Sequence, residues 1–217
     1  MVNQSVIEAV EKKTLDESSV DPDPLKQFRE WYGDAVRAGI FQPEVMHLST
    51  STPLGTPTGR FVLYKDPEKY GLAVEGFLFF TNFMSAKSRD IEKSPLVALT
   101  FYWKELLRQV RIVGIAEKSP EEVSDKYFES RPDPAKLGAW ASAQSEVIES
   151  RAVLEERAAQ YRERFEGGPI PRPAHWGGFT VRPAEMEFWQ HREDRLHDRI
   201  RYNAQEDGGW TIQRLSP

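Results

Sequence analysis

VMHLST (residues 45–50), GRFVLYK (59–65), GFLFFTN (76–82), PLVALTFYW (95–103) and LLRQVRIVGIAEK (106–118) follow one another within about 75 residues. Each run has strand length, is rich in Val, Ile, Phe, Tyr and Thr, and lies between breaker residues. Five of them in succession predict a meandering antiparallel sheet or barrel, so the fold class is mainly β with flanking helices. Toward the N-terminus, Asp23 is placed to cap a helix and Pro24 fits its first position. Leu25, Phe28, Tyr32, Ala35 and Val36 then recur at helical spacing until Gly39. Between the strands, Ser85 to Ser94 reads as a short helix. Ser119-Pro120-Glu121-Glu122 has the spacing of a capping box opening a helix that runs to Ser130, and Pro132 moves Arg131 out of helical geometry. A further helix runs from near Ser150 to Gly167-Gly168, where Pro169, Pro171 and Pro173 stiffen a connector. WGGFTVRP (176–183), EMEFWQHR (185–192), DRLHDRIRYN (194–203) and GWTIQRL (209–215) read as four more strands.

The connector is read as a loop within one domain, because the roughly 44 residues after it are too few to bury a core of their own. Residues 1–22 are polar and acid-rich, with Val6, Ile7, Ala9 and Val10 as their apolar cluster. They read as a mobile or loosely docked arm, leaving 23–217 as the folded domain. The chain has 39% hydrophobic, 29% charged and 12% aromatic residues, the composition of a packed globular protein. Its net charge of −5 argues against a general nucleic-acid or acidic-membrane binder, which needs a broad positive field. There is no cysteine, hence no disulfide, thiolate nucleophile or Cys-based metal site. The start has no apolar signal core, and the longest apolar stretch, Pro95 to Trp103, is too short to span a bilayer. These features together predict a cytoplasmic protein.

No phosphate loop, dinucleotide fingerprint, nucleophile elbow or paired-His motif is present, and His47, His175, His191 and His197 lack zinc-ligand spacing. The unusual stretch is Arg192 to Arg201. If Arg195 to Tyr202 is a strand, its period of two puts Arg195, His197, Arg199 and Arg201 on one face. Such a row fits either a stripe neutralised by nearby acids or a site for a small anion such as a phosphate ester. Arg60 and Lys65 would face opposite ways on one strand, about 16 Å apart, too far to grip one phosphate. Two anionic groups or simple solvated strand ends both account for them. Gln109 shares a face with Arg111, and Tyr127 and Arg131 stand four apart at a helix end, where the dipole alone favours a cation. Trp140, Trp176 and Trp189 read as core residues or as the floor of a planar cofactor site.

Read in order, seven motifs of this chain resemble the pyridoxamine 5′-phosphate oxidase family over about residues 23–217. They are RFVLYK (60–65), FFTN (79–82), RQVRIVG (108–114), YFESRP (127–132), LGAWASAQS (137–145), HWGGF (175–179), and EFWQ (187–190) followed by RLHDR (195–199). The resemblance implies an FMN-binding split β-barrel that forms a homodimer, with a flavin site at each of two subunit interfaces. It implies that Arg60, Phe61, Val62, Leu63, Tyr64, Lys65, Phe80, Thr81 and Lys87 hold FMN, with Arg60 and Lys87 near its phosphate. Gln109, Gln144, Ser145, Trp189 and Arg199 complete that site, some from the partner subunit. Lys65, Tyr127 and Arg131 are implied to hold the substrate phosphate, with Arg195, Leu196 and His197 over the pyridine ring. Arg195 orients the substrate and helps electrostatically; His197 assists with a proton or positions the ring. The implied reaction takes a hydride from C4′ of pyridoxamine or pyridoxine 5′-phosphate to flavin N5, and O2 then reoxidises the flavin to give hydrogen peroxide and pyridoxal 5′-phosphate.

The chain departs from the family pattern in four places. Ala86 stands where a basic residue usually precedes Lys87. Pro134-Ala135 replaces a pair that usually ends in a hydroxyl residue, the N-terminal arm is acidic, and the loop from Asp66 to Gly76 is longer than usual. Each lost hydrogen bond to a charged group is worth about 1.5–3 kcal/mol, so weaker phosphate binding is expected. With both phosphate sites altered, an oxidase of another aromatic compound and a flavin or pyridoxal phosphate carrier without turnover remain as further readings.

Overall fold

The computed structural model of the protein describes residues 2–11, 13–71 and 75–217. Its elements are α1 (Gln4–Glu11), α2 (Pro24–Arg37), β1 (Val45–Ser51), β2 (Pro57–Leu63), β3 (Phe77–Asn82), α3 (Ala86–Lys93), β4 (Leu96–Trp103) and β5 (Arg108–Lys118). They are followed by α4 (Glu121–Glu129), α5 (Asp133–Ala141), α6 (Arg151–Arg164), β6 (Trp176–Gln190), β7 (Asp198–Ala204) and β8 (Trp210–Arg214). The strands form one antiparallel sheet in the order β2-β1-β4-β5-β6-β7-β8. The five expected early strands are all present, but they do not form a simple meander, because β3 leaves its sequence neighbours and pairs with the first half of β6. β3 and β7 thus lie end to end along β6, β3 against Trp176–Val181 and β7 against Glu185–Gln190.

EMEFWQHR and WGGFTVRP, expected as two strands, are the single long β6. Pro183, which has no N–H to give a ladder, sits where the β5–β6 register slips by one residue between Val113 and Gly114. Gly114 is required there, since a Cβ on it would stand 2.2 Å from the Arg182 carbonyl oxygen.

Helix α2 closes the core. Asp23 accepts a hydrogen bond from Leu25 N at 2.9 Å, and Pro24 occupies the first turn. The Phe28 ring packs 4.8 Å from Phe77, 4.9 Å from Phe101 and 5.3 Å from Tyr64. Beside it, the buried pair of Arg108 and Asp34 (2.9 Å) fastens α2 to β5. Arg108 also donates to Gln190 at 2.7 Å and lies 4.1 Å over the Trp31 ring. This anchor fixes the end of the β5–β6 pair that carries Gln109 and Trp189.

Three further expectations need correction. The N-terminal arm is not loosely docked: α1 and the segment after it bury Ile7, Val10 and Leu15 in the main core, and Asn3 N donates to Ala38 O at 2.8 Å. The Tyr202 hydroxyl holds Asp21 O at 2.8 Å, and the Arg214 fork takes Glu17. Ser119 is no capping residue, since its hydroxyl pairs with Thr180 at 2.8 Å and Pro120 stands at the N-cap. Strand β7 starts at Asp198 rather than Arg195, whose φ of +65° puts it in a left-handed turn. The Gly/Pro connector is a loop tied to α5 by Trp140 Nε1 on Pro171 O at 2.8 Å, and α5 itself was not foreseen. The loop expected to be long contains a short 3-10 turn at Glu68–Tyr70, and its residues 72–74 lie outside the described residues. No described helix is long and apolar enough to cross a membrane.

Candidate functional site

A cleft of about 490 Å³ opens between the ends of β2 and β3, the start of β6, and helices α3, α4 and α5. It brings together Phe61, Val62, Leu63, Lys65, Phe80, Thr81, Lys87, Tyr127, Arg131 and Gln144. Its floor is a stack of three rings. Phe80 lies 4.0 Å from Tyr127 with planes 16° apart, and 5.4 Å from Trp176 with planes 8° apart.

Two groups of cations face this cleft. Lys87 Nζ donates to Gln144 Oε1 (2.7 Å), Thr81 Oγ1 (3.1 Å) and Ser85 Oγ (3.3 Å), all neutral, and no carboxylate pairs with it among the described residues. Burial, helped by the nearby charge of Arg60, lowers its ammonium to about 8. A desolvated cation without a counter-ion is a site for an anion. The second group is Lys65, Tyr127 and Arg131. Lys65 is placed by a bridge of its N–H to Leu78 O (2.8 Å), and its ammonium lies 5.7 Å over the Tyr127 ring. The Arg131 guanidinium lies 4.5 Å over Trp176, and its Nη1 is buried with no hydrogen-bond partner among the described residues. Burial depresses the Arg131 pKa and raises that of Tyr127. An unpaired guanidinium N–H costs free energy until an anion accepts from it.

Three residues expected in this group are placed differently. The fork of Arg60 is engaged beneath the cleft by Thr50 (2.6 Å) and Thr58 (2.7 Å), with Asp90 at 3.8 Å. Its charge reaches Lys87, but its N–H groups are held. The Tyr64 side chain points into the core, 4% exposed, because Lys65 and not Tyr64 takes the cleft side of that bend. Ser145, at φ +76°, accepts from Ala86 N at 3.1 Å and so caps α3.

The remaining expected residues form a second cluster. Gln109 pairs with Trp189 across β5 and β6, and the His197 ring lies 4.7 Å from Trp189. Arg195 and Leu196 are exposed on the turn before β7. Arg199 is committed to Glu187 through two bonds of 2.9 and 3.1 Å, which raise its pKa, so here the row of arginines is partly a neutralised stripe. Trp176 of the cleft and Trp189 of this cluster are thirteen residues apart on one strand, roughly 40 Å at about 3.3 Å per residue. No residue of this second cluster lines the cleft. Sequence reasoning missed Asn82, which lines the cleft and holds Ser142 O at 3.1 Å, and His191, which packs 5.0 Å from His197. The polar end of FFTN was a signal for the first; a lone histidine after a strand gave none for the second. Among the described residues no group of three His, Cys, Asp or Glu could hold a metal ion.

Residues 32–165 match the family model described as pyridoxamine 5′-phosphate oxidase, and residues 176–217 match the pyridoxine 5′-phosphate oxidase C-terminal dimerisation region. The chain belongs to the pyridoxamine 5′-phosphate oxidase family. It is 53% identical over 203 residues to the pyridoxine/pyridoxamine 5′-phosphate oxidase of Rubrobacter xylanophilus, covering 94% of this chain and 91% of the relative. It is 50% identical to that of a Nostoc species, covering 94% and 92%. Among solved structures, PhzG from Burkholderia lata, in complex with tetrahydrophenazine-1-carboxylic acid, superposes with a TM-score of 0.85 at 28% identity. That match covers 95% of this chain and 98% of PhzG. A pyridoxamine 5′-phosphate oxidase-related, FMN binding protein from Nostoc punctiforme shares the fold, with a TM-score of 0.71 at 16% identity over 91% and 100% of the two chains. The fold is the family's split β-barrel, and the chain is an oxidoreductase of that family.

Proposed function

We propose that the protein is an FMN-dependent oxidase that converts pyridoxamine or pyridoxine 5′-phosphate to pyridoxal 5′-phosphate with O2 as acceptor and hydrogen peroxide as product. With the alcohol, one O2 is consumed per aldehyde; with the amine, water is also consumed and ammonia released. The observation that carries this reading is the two cation groups, Lys87 and Lys65 with Arg131, that have no carboxylate partner among the described residues and flank one aromatic-floored cleft. A cofactor phosphate and a substrate phosphate supply the two anions that these groups lack.

In this reading Lys87, Thr81 and Gln144 face the cofactor phosphate, with Arg60 adding charge from beneath. Lys65, Tyr127 and Arg131 take the substrate phosphate. FMN, when bound, supplies the hydride acceptor and the route of electrons to O2. The chain's own residues bind and orient the substrate, so that the reacting carbon is held in place before chemistry. Gln109, Trp189, Arg195, Leu196 and His197 of one copy complete the cleft of another, because β6 holds them too far from the cleft on their own chain. A homodimer with two shared sites follows, and the C-terminal dimerisation region fits it. Arg199 contributes by holding Glu187 and the start of β7, since its fork is taken.

An anaerobic absorption spectrum of the purified protein with FMN, followed by pyridoxamine 5′-phosphate, tests this. The flavin band bleaches and returns on admitting air. A bound flavin that stays oxidised with this substrate but bleaches with another reduced aromatic acid would support the second reading, which the likeness to PhzG and the alanines at 86 and 135 favour. Flavin that bleaches with neither would make the protein a carrier.

A further inference from the structure

We propose that the backbone N–H of Arg192 fixes the neutral His197 ring as its Nε2–H tautomer, so that His197 meets the substrate as a hydrogen-bond donor, and that His191 is a positioning residue for that ring. The identity of the acceptor rests on the oxidase reading above; the tautomer does not.

The turn from Arg192 to His197 closes on itself. Arg195 N donates to Arg192 O at 3.2 Å, Leu196 N to Asp194 Oδ1 at 2.9 Å, and Arg192 N to His197 Nδ1 at 3.0 Å. A backbone amide can only donate, so Nδ1 must offer its lone pair, and the single proton of the neutral imidazole is left on Nε2. A histidine built for acid–base work commonly has a carboxylate or carbonyl on its Nδ1–H instead. The adjacent carboxylate, Asp198, is turned away to Arg214 at 2.8 Å. With hydrogen already on Nε2, the ring cannot take a proton from the substrate at that atom. It can hold a substrate oxygen or developing negative charge. Of the two roles the sequence leaves open for His197, the geometry therefore selects positioning.

The ring is also held from the side. His191, His197 and Trp189 form a triangle of rings, with centroids 5.0, 4.7 and 6.1 Å apart. His191 is itself pinned by its N–H on Leu107 O at 3.0 Å, the last tie to the β5–β6 end before the turn. Removing its ring leaves His197 with the Arg192 bond and one aromatic neighbour.

The test is a long-range proton–nitrogen NMR spectrum of the FMN-loaded protein labelled with ¹⁵N-histidine. It is recorded at about pH 8.5, some two units above the ordinary imidazole value, with His197 assigned by its loss in His197→Gln. A protonated Nε2 and a bare Nδ1 are expected; the reverse pattern, or an averaged one, would overturn the lock. In turnover, His197→Gln, whose amide N–H can reach the Nε2 position, stays within about tenfold of the parent KM. His197→Asn raises KM by about 10- to 150-fold with a smaller change in kcat. Equal loss in both variants would remove the donor role. His191→Ala is expected to average the two His197 nitrogen signals and raise KM, while His191→Phe restores both. A wild-type spectrum in His191→Ala would show that His191 positions nothing. A correct tautomer in a protein whose flavin never bleaches would refute the oxidase reading and the donor role with it, leaving only the lock.

Discussion

Replacing Arg131 by Met removes a charge while keeping most of the side chain's bulk against Trp176 and Phe128. Among the described residues this half-buried guanidinium has no carboxylate partner, and its Nη1 has no hydrogen-bond acceptor. Its favourable contacts are the two rings, 4.5 and 5.5 Å away, worth about 0.5–1 kcal/mol as cation–π interactions. Against that stands an unsatisfied buried N–H costing about 1–3 kcal/mol. The substitution is therefore expected to leave stability unchanged or raise it by about 1 kcal/mol, a shift of roughly 2–4 °C for a chain of this size. Substrate binding should move the other way. Each lost charge-assisted bond to the phosphate is worth about 1.5–3 kcal/mol, so KM for pyridoxamine 5′-phosphate rises about 10- to 150-fold while FMN content is retained. Thermal melting and steady-state kinetics on one preparation decide it. A fall in Tm of several degrees with KM unchanged would show that Arg131 is a packing residue and would refute the reasoning.

Lys87→Met should release FMN without lowering Tm. In the parent protein, FMN affinity should fall as pH rises above about 8, because the unbound ammonium deprotonates there and an anion binds best to its charged form; flavin titrations at pH 7 and pH 9 measure this. Asp34→Asn strands the Arg108 charge in the core and is expected to cost about 3–5 kcal/mol, read as a drop of about 10 °C in Tm. Deleting residues 1–20 exposes the surface against which Ile7, Val10 and Leu15 pack and should shift the urea midpoint down; an unchanged midpoint would return the segment to a loose arm.

The strands from 45 to 118 and helix α2 were legible because their signals are local: β-branched and aromatic runs between breakers, and an Asp-Pro cap before an apolar face. What failed depended on distant partners. Pro183 reads as a strand end, yet a register slip opposite Gly114 absorbs it and β6 continues. Ser119 has the spacing of a cap, but Thr180 offers its hydroxyl a nearer partner. Val6, Ile7 and Val10 are too few to mark a helix, and only the core that receives them makes α1. In the site, the alternation of side chains on β2 ends before Lys65, so strand parity could not tell that Tyr64 turns inward and Lys65 toward the cleft. The separation of the two residue clusters at the two ends of β6 follows from the continuity of that strand, which the local pattern hides.

The most direct test of a shared oxidase site mixes two high-KM variants, Arg131→Met in one chain and His197→Asn in the other, after dissociation and reassembly. The mixture is assayed at a substrate concentration well below the parent KM, where each variant alone turns over slowly. In a mixed dimer one site carries both changes and the other carries neither. Random pairing therefore restores about one quarter of the parent oxidase activity with pyridoxamine 5′-phosphate. Mixed dimers that form but stay as slow as either variant alone would contradict the account.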